Sequence, residues 1–179
     1  MRAKGDNAGP EWVPEAFGVG AGAGGTVEAS RASVVRLMVP TDANFTGNVF
    51  GGAILGEIDR VAYVTASRHA ATQCVTASFD RADFIAPVHV GELVDFDACL
   101  TYVGRASMEV WVRVQAEPLS GGPRRLVVEA YVTMVAVDPT MRPTPVPPLR
   151  LANDAERRRF EEGRVRMEER RRTRGPRPR

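Results

Sequence analysis

The sequence predicts an α+β fold in which a curved antiparallel sheet of five strands wraps around one long helix, with a charged, partly helical tail after it. Five segments bounded by turn residues carry the alternating or continuous apolar runs of strands. Within that set one segment alone has helical spacing, and its apolar stripe is too wide for a helix lying on a surface. A sheet with one apolar face must then be covered by that helix, because the chain offers nothing else to cover it.

The elements follow in order. Residues 1–30 form a Gly/Ala-rich arm (GVGAGAGGTVEAS), whose few large apolar residues, Trp12 and Phe17 among them, cannot offset chain entropy; it is expected to be disordered. Ser33 to Val39 is β-branched and stopped by Pro40, a first strand. Pro40 to Asn48 is polar and turn-forming, a loop. From Gly51 to His69, Ile54, Ile58, Val61, Ala62 and Thr65 recur at helical spacing, and Leu55 and Ala66 widen the stripe. Strands are then expected over Val75 to Ile85, Glu92 to Val103, Ser107 to Ala116 and Arg125 to Val137, the last four joined as a meander. In the third of these Met108, Val110, Val112 and Val114 face one way and Glu109, Trp111, Arg113 and Gln115 the other. Four prolines between Thr140 and Pro148 make an extended linker. Residues 149–179 are an Arg-rich tail, helical over 151–172 with only Phe160, Val165 and Met167 as an apolar edge. It reads as a solvated charged helix, and removing 151–179 should leave activity nearly unchanged; contact with an anionic partner is the sharper alternative.

Composition sets outer limits. The 179 residues and 19.5 kDa suit one domain with tails. The net charge of +2 hides a split: residues 1–149 carry 12 basic and 16 acidic residues, residues 150–179 carry 12 and 6. The body is therefore acidic, which disfavours nucleic acid as the partner of the domain itself. Two cysteines and two histidines leave no four-ligand zinc set and no disulfide framework. No apolar run approaches a membrane span, and no secretory leader is evident, so a cytoplasmic protein with reduced thiols is expected. His69 near the helix C-terminus and His89 in a turn read as structural, as do Cys74 and Cys99.

A strongly curved sheet around one buried helix is the hotdog arrangement, and exposed sheet edges favour pairing with a second copy across a two-fold axis. The chemistry concentrates in Asn44-x-x-Gly47-x-x-Phe50-Gly51-Gly52-x6-Asp59. Gly51-Gly52 opens the helix, where free N–H groups could hold a carbonyl oxygen that becomes negative; the plainer reading is a tight turn. Asp59 lies about two turns, or ~10 Å, beyond Gly52 beside the apolar stripe, where an acid is costly unless it faces a cleft or pairs with Arg60 or Arg68. Asn44 could orient a water or polarise a carbonyl, or serve ordinary turn chemistry, and Asp42 reads as a turn or capping residue.

The string Pro40-Thr41-Asp42-Ala43-Asn44-Phe45-Thr46-Gly47-Asn48-Val49-Phe50-Gly51-Gly52 with Asp59 resembles the signature of the hotdog acyl-CoA thioesterases of the bacterial YciA and mammalian brain acyl-CoA hydrolase type. The likeness continues through Val75-Thr76, Phe84-x-x-Pro87-Val88-x-Val90-Gly91, Gly104-Arg105-x-Ser107 and Val135-Ala136-Val137-Asp138, and makes residues 31–148 the thioesterase domain. It implies hydrolysis of fatty acyl-CoA to free acid and coenzyme A, by a dimer or a trimer of dimers. Coenzyme A is then part of substrate and product, and no cofactor or metal is required. Asp59 would be general base or nucleophile, Asn44 of the other protomer its helper, and the Gly52 N–H the oxyanion donor. Phe50, Gly51, Thr76, Gly104, Arg105 and Ser107 would contact substrate, Arg105 facing phosphate. Gly56 and Glu57 depart from what relatives carry, as does the Arg-rich tail. Hotdog hydratases carry a His five residues after the Asp; Val64 stands there, which disfavours dehydration. The rival class is a non-catalytic acyl-CoA-binding regulator on the same fold, its tail engaging nucleic acid or a protein.

Overall fold

The structure, a computed structural model, describes residues 25–173; Trp12, Phe17 and most of the N-terminal arm, with residues 174–179, lie outside the described residues. The element order is α1 (Val27–Ser30), β1 (Ala32–Leu37), a 3-10 turn (Pro40–Asp42), α2 (Gly51–Ala70), β2 (Cys74–Phe84), β3 (Glu92–Val103), β4 (Ser107–Pro118), β5 (Arg125–Ala136) and α3 (Asp154–Thr173). The end of the expected arm is thus folded: the Thr26 hydroxyl accepts the Ala29 N–H and caps α1, a local stop that the glycine-rich composition concealed.

The sheet is antiparallel, in the order β1-β3-β4-β5-β2. Only β3, β4 and β5 form a meander; β2 pairs with β5 and is an edge strand, not the neighbour of β3 that chain order suggested. The apolar stripe of α2 fills the concave face. Ile54, Ile58, Val61, Ala62 and Ala66 are all at most 2% exposed and meet Phe96, Val110, Val112, Val128, Val132 and Met134. Full burial of a side chain such as Ile58 contributes about 1.5–3 kcal/mol. Ala71 ends the helix in the left-handed conformation, its N–H returning to the Ser67 carbonyl.

The outer face of the sheet is covered too, which corrects the reading of the tail. Helix α3 lies across it with Phe160, Gly163 and Met167 inward; Met167 is 2% exposed, and Val165 points outward. The Phe160 ring tilts against Tyr102 at 5.0 Å, Arg159 stacks on Trp111 and Arg166 on Tyr131. Glu109, on the face expected to be solvated, is wholly buried; it takes Arg166 Nη2 at 2.7 Å and the Thr101 hydroxyl at 2.6 Å. A helix with few apolar residues docks because its arginines satisfy buried acids and stack on rings. The proline linker is fastened as well: Thr144 and Val146 donate to the carbonyls of Ala136 and Arg105, and Arg150 to that of Gly25. No described helix is long and apolar enough to cross a membrane.

Candidate active site

Asp59 sits half-buried on α2, one residue past the fully buried Ile58. Neither arginine offered as its plain partner takes it. Arg60 pairs with Glu57 at 2.6 Å, and Arg68 donates to the Arg31 carbonyl at 2.7 Å. Its Oδ1 instead accepts the hydroxyl of Thr76 on β2 at 2.5 Å; Oδ2 has no hydrogen-bond partner among the described residues. Thr76 also lines a cavity of about 510 Å³ with Val75, Ala77, Val135, Val137, Met141 and Pro143. A carboxylate with one oxygen fixed by a hydroxyl and the other without a partner among the described residues can accept a proton or attack an electrophile.

The start of α2 forms a second centre. Ala53 donates to the Phe50 carbonyl, while the N–H groups of Gly51 and Gly52 have no partner among the described residues. Gly51 lines a cavity of about 330 Å³ with Asn44, Asn48, Ile54 and the segment Phe84 to Val88. A Cβ on Gly52 would overlap the Phe50 ring as it stands, whereas one on Gly51 would make ordinary contact with the Phe84 ring at 3.4 Å. The exposed Phe50 therefore lies beside the proposed oxyanion donor. Asn44 Oδ1 accepts the Thr46 N–H, the Thr46 hydroxyl and the Asn48 N–H at 2.9, 2.7 and 3.2 Å. Its carbonyl is thus engaged in the turn, and its Nδ2 has no partner among the described residues. Asp42 is the cap the sequence suggested, accepting the Val39 N–H at 3.0 Å. Arg36 ties it to the helix, binding Asp42 Oδ1 and Glu57 Oε1, each at 2.7 Å; this loop-to-helix brace accounts for Glu57 and was missed in the sequence. A Cβ on Gly56 would meet nothing within 4 Å.

Gly104 to Ser107 is the β3–β4 turn, with Gly104 donating to the Ser107 carbonyl at 2.7 Å. Arg105 projects into solvent and makes no ion pair among the described residues. Thr76 pairs with Met134, and Met134 with Met108, so this turn and the Asp59–Thr76 pair share one end of the sheet. Asn44, Gly51 and Phe84 gather in the other cavity. One protomer therefore contains the residues in two clusters and records no contact between Asn44 and Asp59. The Asn48 and Phe84–Val88 lining was not singled out as site residues; the Phe84-x-x-Pro87-Val88 string was the signal for it. Thr76, expected to contact substrate, is the residue that touches the acid. Both thiols are buried, and burial pushes Cys74 up to about 11 and raises Cys99, which keeps them protonated.

The Thioesterase superfamily profile matches residues 46–123. A crystal structure of an apo-hexameric acyl-CoA thioesterase is 40% identical and superposes with a TM-score of 0.80, covering 87% of this chain and 100% of that one. The chain belongs to the thioesterase superfamily. An uncharacterized acyl-CoA thioester hydrolase of Bacillus subtilis, YkhA, is 40% identical over 108 residues, 60% of this chain; the chain spans 63% of that relative's length. The acyl-CoA hydrolase of Staphylococcus aureus, solved with butyryl coenzyme A, coenzyme A and coenzyme A disulfide, is 32% identical with a TM-score of 0.75, covering 82% of this chain and 89% of that one. Further structures of that enzyme carry alanine in place of one asparagine, one aspartate or one threonine. Those three are spaced along their chain as Asn44, Asp59 and Thr76 are here.

Proposed function

We propose that this superfamily member hydrolyses fatty acyl-CoA to free acid and coenzyme A in the cytoplasm. The observation that carries the reading is the Asp59 carboxylate, unpaired by any arginine, with the Thr76 hydroxyl on Oδ1 and Oδ2 free. The matched spacing of the three residues replaced in the S. aureus enzyme supports it, as does that enzyme's binding of butyryl coenzyme A.

The chemistry suits a lone carboxylate. As general base Asp59 takes a proton from water while the water oxygen attacks the thioester carbon; as nucleophile it attacks directly and water then cleaves the anhydride. In both, the C–S bond breaks and coenzyme A leaves as a thiolate, which is a good leaving group because thiols ionise near pH 8.5. Little general-acid help is needed. The Gly52 N–H at the start of α2 is aligned with the positive end of the helix dipole and holds the developing oxyanion. Arg105 meets a coenzyme A phosphate from the turn at the Asp59 end, Gly104 and Ser107 shaping that turn.

The catalytic unit is a dimer. Among the described residues β2 is the last strand of the sheet, with Thr76 near its start and Phe84 at its end. Antiparallel pairing with its twin about a two-fold near Asp80 swaps the ends, so the Asn44–Gly51 cavity of one copy faces the Asp59–Thr76 pair of the other. Asn44 Nδ2, free in its own protomer, then orients the water or thioester at the neighbour's acid. Three such dimers would give a hexamer like that of the apo-hexameric relative.

The test is thiol release from an acyl-CoA series running from acetyl to palmitoyl. Asp59→Asn is expected to lose at least ~100-fold in kcat with an unchanged melting temperature. Full turnover in that variant would end the reading, and coenzyme A binding without turnover in the unmodified protein would favour the regulator instead. The tail gives that rival little support, since Arg159, Arg164, Arg166 and Arg170 are engaged within the protomer.

A further inference from the structure

We propose that Arg170 is a positioning residue for this site: from the opposite side of the sheet it locks a double bulge in β2 that turns the Thr76 hydroxyl toward Asp59. The proposal rests on the reading of Asp59 as the reacting carboxylate.

In a regular strand residues 76 and 78 would share a face. Here Thr76 faces α2, touching Asp59 and lying 3.6 Å from Met134 Sδ, while Ser78 faces α3. The register accounts for the change. Thr76 stands opposite Met134 and Ser78 opposite Thr133, so Ala77 is an extra residue; a second shift between Phe79 and Arg81 makes Asp80 another. A bulge interrupts the ladder and bends the strand, and among the described residues β2 is an edge strand paired with β5. A side chain from outside the ladder can then help to hold the segment.

Arg170 does so. Its Nη1 donates to Ser78 Oγ at 2.7 Å and lies 3.1 Å from both Asp80 oxygens. Asp80 also accepts the Thr133 hydroxyl, whose oxygen is 3.6 Å from Met167 Sδ. Both members of the ion pair are largely shielded, the side chains 16% and 19% exposed, which strengthens charge-assisted bonds. The Ser78 hydroxyl also donates to Asp80 Oδ1 at 2.5 Å, so one cluster spans both bulges, and Arg170 reaches the first through Ser78, the residue after Ala77, and the second through Asp80 itself. Release of the first lets the strand relax toward regular alternation, which carries the Thr76 hydroxyl away from Asp59 Oδ1. Loss of a well-placed hydrogen bond at the reacting carboxylate reads out in kcat.

The test is a double-mutant cycle in the full-length protein. Arg170→Gln is expected to lower kcat about tenfold while KM stays within about twofold, and Arg170→Lys to recover most of the loss. In a Thr76→Val background Arg170→Gln should cost no further kcat, because the contact it serves is already gone. Melting temperature and assembly size are measured alongside. An unchanged kcat in Arg170→Gln, losses that multiply with those of Thr76→Val, or activity recovered by raising protein concentration would each overturn the proposal. If Arg170→Gln does not fold, Ser78→Ala replaces it in the same cycle, with the same expected and overturning results. Asp59→Asn separates the two readings. Retained turnover there overturns both, whereas an inactive Asp59→Asn with a multiplicative cycle overturns the role of Arg170 alone.

Discussion

His69 lies at the end of α2, 4% exposed, with Nε2 donating to the Pro147 carbonyl at 2.8 Å and Nδ1 without a partner among the described residues. Burial lowers its pKa below the ordinary 6.5, against a smaller upward pull from the Pro147 carbonyl. A second ring proton would have to sit at Nδ1, packed close to Gly25. The sign follows from proton linkage. The folded pKa is depressed, so the unfolded chain binds the extra proton first as pH falls; stability is complete above about 6.5 and is lost on acidification from there down to the folded value. We expect the melting temperature to fall between pH 7.5 and 5.5 and His69→Gln to flatten that fall. Glu92, held below the usual carboxylate range by Arg125, contributes only at lower pH. A slope equal in both proteins would count against His69 as its source. The sequence read His69 as structural; its cover could not be read there, because it comes from residue 147, far along the chain. Asp59 was legible for the opposite reason: an acid beside Ile58 and Val61 is conspicuous from its local neighbours alone.

At the scale of elements, the strands and α2 could be read because each carries its own periodicity, within a residue or two of its observed ends. Strand order and α3 could not. The position of β2 beside β5 is a matter of which edge stays open, and no local pattern encodes it. Helix α3 was misread because its buried side is Phe160, Gly163 and Met167, with a glycine where an apolar residue would have drawn attention and with arginines supplying adhesion. The correction changes a prediction. Deleting residues 151–179 is now expected to expose Glu109, Thr133 and the rings of Tyr102 and Tyr131, and to yield aggregated or weakly stable protein instead of an unaltered enzyme. Single changes grade the effect. Met167→Ala should cost about 2–5 kcal/mol in urea unfolding. Gly163→Val should be severe, because a Cβ there would fall 2.8 Å from Tyr102 Cβ and 2.9 Å from Glu109 Oε1. Wild-type stability in either would mean that α3 is held elsewhere.

For the whole molecule the decisive matter is which copy supplies which residue. Within one chain the Asn44 cavity and the Asp59–Thr76 pair sit toward opposite ends of β2, so the proposed site, which uses both, would be built between two copies. That arrangement makes an arithmetic prediction that no single-chain site shares. Take Asn44→Ala and Asp59→Asn, each inactive by itself, and let them exchange subunits in equal amounts through mild denaturation and refolding. Half of the dimers are then mixed, and in each mixed dimer one site holds both replacements while the other holds neither. One site in two is restored in half the dimers, so turnover should return to about a quarter of the wild-type value. A site contained in one protomer returns nothing on mixing, because every chain still carries a defect. The recovered activity should share the wild-type KM, since the restored site has all its own groups. It should also vanish if one of the two variants carries Arg105 and Asp59 replacements together with Asn44→Ala, which leaves no intact combination to assemble.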